Sequence, residues 1–361
     1  MPLNHYVTLG RSGLRVSPLC LGAMTFGKDW GWGSDVDESR RIMDAFIARG
    51  GNFIDTANIY TKGHSEKIIG DHVGREPSKR DRLVIATKFF GNLYPGDPNG
   101  GGAGRKAIMA ACEHSLRRLQ TDYIDLYWMH ALDPYTPIDE TMRALNDLVT
   151  AGKVRHLGFS DVPAWKCTQA ALMARGRDWA PLIALQIEYS LLERTVEAEL
   201  IPMARELGLG VTPWSPLKGG VLTGKYTRAN RDKADPNRGA WVKNHLSDRA
   251  YDVVDVLTGV AKELGTTPAK VALAWVNERP GVVSSIIGAR TMEQLEDNLG
   301  SLDVKIPREL AAKLEEATKP TLPFPHVFLK NVLPNLHGGT TINGVATEVW
   351  PLAPQKDSER Y

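Results

Sequence analysis

Cysteine is scarce in this chain: 361 residues hold three, Cys20, Cys112 and Cys167, widely spaced and without a Cys-x-x-Cys pair. That set argues against a disulfide framework and a thiolate zinc site, and it suits a reducing compartment. One-sided charge is also missing. The 44 basic and 42 acidic residues leave a formal charge of +2, with no Lys/Arg cluster long enough to follow a phosphate backbone, so nucleic acid is not an expected partner. No apolar run approaches the roughly eighteen residues of a membrane span, and the start of the chain lacks a basic segment followed by an apolar one. A soluble, cytoplasmic protein with no membrane partner is expected. Neither is there a Gly-x-Gly-x-x-Gly fingerprint opening a βαβ unit, so a Rossmann dinucleotide domain is not indicated. The glycine-rich loop 94–106 is no phosphate loop, because Lys106 is followed by Ala107 where Ser or Thr would meet magnesium.

What the sequence does contain is a hydrophobic share of 42%, enough for one large barrel or two ordinary domains. Short apolar runs alternate with helical periods, the mark of repeated βα units on a parallel sheet. Eight strands are expected near 19–22, 52–55, 83–87, 123–127, 156–159, 183–186, 210–213 and 283–287. A helix opened by Asp37-Glu38-Ser39 runs to the paired stop Gly50-Gly51, and others span about 105–119 and 138–151, the last with Met142, Leu145 and Leu148 at helical spacing. The pattern predicts a single-domain (β/α)8 TIM barrel over about 15–318. A hairpin around Arg11-Ser12-Gly13 would cap its closed bottom, and an aperiodic extension, 319–361, would lie across its mouth as extended coil.

Four polar residues follow three strand-like runs: Asp55 and, five positions on, Tyr60; then Lys88; then His130. In a parallel barrel the C-terminal strand ends converge on one mouth, so these side chains can meet around one substrate atom. A carboxylate, a phenol, an ammonium and an imidazole together are what it takes to run tyrosine as a proton donor. A free phenol titrates near about 10, and bringing it down by roughly three units takes about 4 kcal/mol, the task expected of Lys88. Asp55 would keep that lysine charged, and His130 would hold a carbonyl oxygen beside Tyr60.

The segments carrying these residues, Asp55-Thr56-Ala57-Asn58-Ile59-Tyr60, Ala86-Thr87-Lys88 and Asp125-Leu126-Tyr127-Trp128-Met129-His130, resemble the aldo-keto reductases. The likeness runs from Leu21-Gly22-Ala23-Met24-Thr25-Phe26-Gly27 through Gly158-Phe159-Ser160-Asp161 and Trp214-Ser215-Pro216-Leu217 to Ile286-Ile287-Gly288-Ala289-Arg290-Thr291, covering most of the chain. Ser160-Asp161 and Trp214 are most similar to the bacterial and fungal aryl-alcohol-dehydrogenase-like branch.

The resemblance implies metal-free, reversible reduction of aldehydes or ketones by a nicotinamide cofactor, with Asp55, Tyr60, Lys88 and His130 as the catalytic tetrad. It implies that Gly22, Met24 and Asp55 approach the cofactor, while Ser160, Asp161 and Gln186 bond its carboxamide and Trp214 stacks on the ring. Ser215, Pro216, Leu217, Gly219, Gly220 and Lys225, with Lys218, would follow the pyrophosphate in a cofactor belt extending to about Asp248, whose charged middle is 228–238. Ile287 and Gly288 would also touch the cofactor, Arg290 and the free backbone amides of the following helix would hold a 2′-phosphate with Gln294 beside it, and Asp297 and Asn298 would lie near the adenine, which favours NADP(H) over NAD(H). Two positions depart from the family pattern: Asp161 stands where Asn is commoner, and Thr61 where many relatives have Gly.

Phe26, Trp30, Trp32, Phe89 and Phe90 are candidates for an aromatic pocket suited to a bulky apolar or aryl carbonyl. Two other classes stay open. One is a nucleotide-sensing regulatory module, as the potassium-channel beta subunits on this fold imply; the other is a glycoside hydrolase, which needs two mouth carboxylates, with Asp55, Asp125 and Glu188 available. Oligomeric state is left open by the sequence.

Overall fold

The computed structural model describes residues 2–228, 242 and 244–360. Eight parallel strands carry the fold: β1 (Leu19–Gly22), β2 (Phe53–Asp55), β3 (Val84–Phe89), β4 (Ile124–Met129), β5 (Val154–Ser160), β6 (Leu182–Glu188), β7 (Gly210–Trp214) and β8 (Ser285–Gly288). They are hydrogen-bonded in the order β8-β1-β2-β3-β4-β5-β6-β7. Val211 bridges to Val282 and Gly281 across the last gap, so the sheet closes into a (β/α)8 barrel. All eight expected strands are present, with ends that differ from expectation by a few residues.

Closure demands local fit as well as apolar pattern. Trp128 of β4 lies fully buried inside the barrel, level with Gly158 of β5. A Cβ on Gly158 would sit 2.4 Å from the indole, so the large side chain is possible because its neighbour has none. A second core, between sheet and helices, takes the buried face of each amphipathic helix; Met142, Leu145 and Leu148 of the helix Ile138–Thr150 all point into it. The first long helix is Val36–Ala48, capped by Asp35, whose carboxylate accepts from the Glu38 amide.

The hairpin Val7–Thr8/Arg15–Val16 forms as expected. Its Leu9 and Val16 join Cys20, Phe53, Val84, Leu126 and Trp128 in one cluster, and Arg11 N–H bonds Gly208 O, so the hairpin plugs the end of the barrel where strands begin. The chain divides into two compact units, Met1–Lys319 and Pro320–Tyr361. The second is not the extended coil expected: it contains the short helices His326–Asn331 and Leu333–His337 and a two-residue-strand hairpin, Thr341–Ile342/Val345–Ala346. Elements this short, punctuated by proline and glycine, leave no readable period.

Candidate active site

Asp55 is the last residue of β2, and the chain beyond it is stitched to β3 by Thr56 N–H to Ala86 O (2.9 Å) and Asn58 N–H to Lys88 O (3.1 Å). That path delivers Tyr60 to the mouth. It continues through Thr61 (φ 46°) and Lys62 (φ 60°), both left-handed, which is a strained state for a β-branched residue. The Thr61 hydroxyl donates to Phe26 O (2.9 Å) and accepts from Ser65 N–H (2.9 Å), bonds that hold the turn where relatives are expected to use glycine.

Lys88 lies on the inner side of β3 with no solvent exposure. Its three N–H groups meet three acceptors: the Asp55 carboxylate, Thr56 O at 2.8 Å and Tyr60 Oη at 3.2 Å. An ammonium only donates, so Tyr60 Oη accepts here and its own proton is left to point into the cleft. The second Asp55 oxygen accepts from Gln186 Nε2 at 3.1 Å. His130 follows β4 directly, its N–H bonded to Phe89 O, with its ring edge-on to Tyr60 at 5.7 Å.

Burial weighs against charge on Lys88, but Asp55 and Tyr60 outweigh it and its pKa lies above the ordinary range. Tyr60 is not brought down to neutrality as expected. Burial raises its pKa, Asp55 and Asp161 add to the rise, and Lys88 offsets part of it, so the phenol stays protonated. Burial, then the nearby Lys88 ammonium, lowers His130 to about 3, which makes its imidazole neutral near pH 7.

Beside these side chains lies a cleft of about 440 Å³, a volume ordinary for a small-molecule site. Asp55, Tyr60 and His130 line it, while Lys88 stands behind them. The other wall brings together the dispersed positions suggested by sequence. Gly22, Met24, Ser160, Asp161, Gln186 and Trp214 stand nearest the strand ends; Ser215, Pro216, Leu217, Gly219, Gly220 and Lys225 follow β7. Ile287, Gly288, Arg290, Gln294, Asp297 and Asn298 follow β8. Trp214 Nε1–H donates to Asp161 at 3.0 Å, fixing the indole. Asp161 is exposed at the mouth, yet desolvation of its carboxyl raises it to about 6, with the Trp214 hydrogen bond opposing.

The match of the chain to the family model described as the Aldo/keto reductase family spans residues 18–319. The chain belongs to that family. This aldo/keto reductase is 40% identical to an uncharacterised oxidoreductase, YrpG, of Bacillus subtilis, over 86% of this chain and 95% of that protein. It is 36% identical to the aryl-alcohol dehydrogenase GME11368 of Pestalotiopsis microspora, over 90% and 85% of the two chains. It is 38% identical to a probable voltage-gated potassium channel subunit beta of Oryza sativa, over 83% and 92%. Membership makes it an oxidoreductase. No described helix is long and apolar enough to cross a membrane, and no group of His, Cys, Asp or Glu among the described residues is arranged to hold a metal ion.

Several details of this reductase differ from the sequence expectation. Phe26 and Phe89 are fully buried core residues, Phe89 packing on Tyr127 with ring centroids 5.0 Å apart, because both point away from the cleft. Phe90, at φ 127°, borders a separate depression with Asn92, Asp133 and Glu140. Trp30 does reach the site, edge-on to Tyr60 at 6.3 Å, with Trp32 at 5.8 Å beyond it. Lys218 is taken by Glu188 at 2.7 Å. At the helix Met292–Leu299 the amides are not all free: Met292 N–H bonds Glu38 and Gln294 N–H bonds Thr291. The Arg290 guanidinium, by contrast, has no partner among the described residues. Of the expected cofactor belt, residues 229–241 and 243 lie outside the described residues. Thr25, Thr223, Ala269, Leu273 and Ile286 also line the cleft. Thr25 and Ile286 sit inside the quoted segments, but Ala269 and Leu273 come from the helix Pro268–Asn277 and carry no local signal.

The donor set fits a nicotinamide dinucleotide phosphate. A guanidinium, Arg290, with no partner among the described residues stands at one part of the cleft, glycine backbone at Gly219 (φ 64°) and Gly220 (φ 101°) presents no side chain, and an indole and a phenol stand near the strand ends.

Proposed function

We propose that this protein is an NADP(H)-dependent oxidoreductase that interconverts an aryl or other bulky apolar carbonyl and its alcohol, with Tyr60 as general acid. The observation that carries this reading is the Lys88 ammonium, which spends its three N–H groups on Asp55, Thr56 O and Tyr60 Oη and so turns the phenol proton toward the cleft. When bound, the nicotinamide supplies the hydride to the carbonyl carbon. Tyr60 gives its proton to the carbonyl oxygen, and Lys88 stabilises the phenolate left behind by a charge-assisted hydrogen bond. Asp55 keeps Lys88 charged. His130, neutral, donates one ring N–H to the same oxygen and orients it. In alcohol oxidation the same groups act in reverse.

Arg290 supports the choice of NADP(H), because a guanidinium with no partner among the described residues is the group a 2′-phosphate would engage. Trp30 beside Tyr60, with Trp32 next to it, supports an aryl substrate, as does likeness to a protein named aryl-alcohol dehydrogenase. Asp125 pairs with Arg80 at 2.7 Å at the start of β4, the end opposite Tyr60, Glu188 pairs with Lys218 at 2.7 Å, and both Asp55 oxygens are engaged, so none of the three carboxylates that the hydrolase alternative named is free to act. A nucleotide-sensing regulatory role is the second reading, favoured by the relative named as a potassium channel beta subunit.

Titration with NADPH and NADH, followed by tryptophan quenching, and then addition of 4-nitrobenzaldehyde, tests the proposal. Tighter NADPH binding with turnover is expected. Binding without turnover across aldehydes, ketones and alcohols favours the sensing role, and failure to bind either nucleotide rejects both.

A further inference from the structure

Among the described residues, three carboxylates reach the cleft: Asp55, Asp161 and Asp297. Two are matched by cations, Asp55 by Lys88 and Asp297 by Lys270 at 3.3 Å. Even Glu188, just behind the wall, is held by Lys218. Asp161 has no cationic partner within ion-pair distance among the described residues; its contacts are the Trp214 indole N–H at 3.0 Å and the Ser160 hydroxyl at 3.5 Å. Its backbone is left-handed at φ 49°, fixed by Asp161 N–H bonding Gln186 O, so the carboxylate is aimed by the end of β5. It also lies near enough to Tyr60 for its charge to bear on the phenol.

Resting on the nicotinamide reading above, we infer that Asp161 is the residue by which this cleft distinguishes the two redox forms of its cofactor: the carboxylate attracts the positively charged oxidised ring and does nothing comparable for the neutral reduced one. A ring within hydride reach of a carbonyl protonated by Tyr60 must lie in the part of the cleft that Asp161 and Trp214 border. A neutral amide at this position would bond a carboxamide but would not separate the two forms by charge.

The inference has a sign. The Asp161 carboxyl titrates at about 6 in the cofactor-free protein. Facing it are the Trp214 indole N–H and the Ser160 hydroxyl, which favour its charged form, Glu188, which opposes it, the more distant Lys88, which favours it, and the protonated Tyr60. Below this pH the group is neutral and discrimination fades; above it the oxidised form gains. A 2′-phosphate also titrates near pH 6, but both redox forms carry it, so it cancels from their ratio.

The test is the affinity of wild type and Asp161→Asn for NADP+ and for NADPH between about pH 5.5 and 8, read by tryptophan quenching. In wild type the preference for NADP+ over NADPH should grow roughly tenfold with rising pH, the size of one partly screened charge interaction. In Asp161→Asn, which keeps an acceptor for the Trp214 indole, the ratio should be flat at the low-pH value. The 15N-indole resonance of Trp214 in nucleotide-free wild type should titrate near pH 6, a check that does not require the variant to fold. A flat ratio in wild type, an Asn variant as pH-dependent as wild type, or an untitrating indole overturns the inference while leaving the reductase reading intact. Failure of wild type to bind either nucleotide overturns both.

Discussion

The two ends of the barrel are built to opposite rules. At the end where strands begin, the hairpin residues Leu9 and Val16 close on Cys20, Phe53 and Trp128, all of them fully buried. At the other end, the chain leaves the strands through Thr61, Lys62, Phe90, Asp161, Ser215 and Lys218, six of the nine described non-glycine residues with positive φ. Polar groups there are held to their geometry by one another, as in Lys88–Asp55–Gln186 and Trp214–Asp161. Backbone strain of this kind persists only where the surroundings over-determine it, and here it collects at the site. One end stabilises the fold, and the other uses part of that stability to fix chemistry.

Substitutions that separate the two ends sharpen this contrast. Lys88→Met should have the largest effect, because it removes the phenol's partner and leaves Asp55 charged in a buried place. Turnover should fall by about 10²–10⁴-fold and stability by about 3–5 kcal/mol, read from aldehyde reduction and urea unfolding. Leu9→Ala at the closed end should cost about 2–5 kcal/mol in unfolding free energy while kcat/KM of the folded protein stays unchanged. A loss of activity in that variant would mean that the ends are coupled. Arg290→Ala should weaken NADPH by roughly 10–100-fold and leave NADH unaffected by calorimetry, with no change in stability. Lys62→Gly should give the smallest effect: relief of the left-handed penalty, partly cancelled by the greater entropy of unfolded glycine, raises stability by less than about 1 kcal/mol in thermal unfolding.

The contrast also marks what could be read from the sequence. The eight apolar runs, and the polar residues that follow three of them, are local features, so the strands and the partnership of Asp55, Tyr60, Lys88 and His130 are legible in the sequence. The direction in which a side chain points from a strand end was not. Phe26 and Phe89 are core and Trp30 is not, although all three stand in aromatic segments near the mouth. The pKa of Tyr60 was misjudged for a related reason: the sequence shows the lysine that lowers it but not the burial that raises it. Nor could the pattern show that Lys218 is already committed to Glu188, a contact between β6 and the segment after β7 that depends on barrel closure. Ala269 and Leu273 reach the cleft through tertiary packing and leave no mark on their own segment.

The most direct test of the account compares Tyr60→Phe with wild type, measuring NADPH affinity by tryptophan quenching and a single turnover of 4-nitrobenzaldehyde by nicotinamide absorbance. The phenol proton is assigned to the reaction and not to binding, so affinity should match within about twofold while the turnover rate falls by about 10²–10⁴-fold. A Phe variant that reduces the aldehyde at the wild-type rate would contradict the assignment of Tyr60 as proton donor.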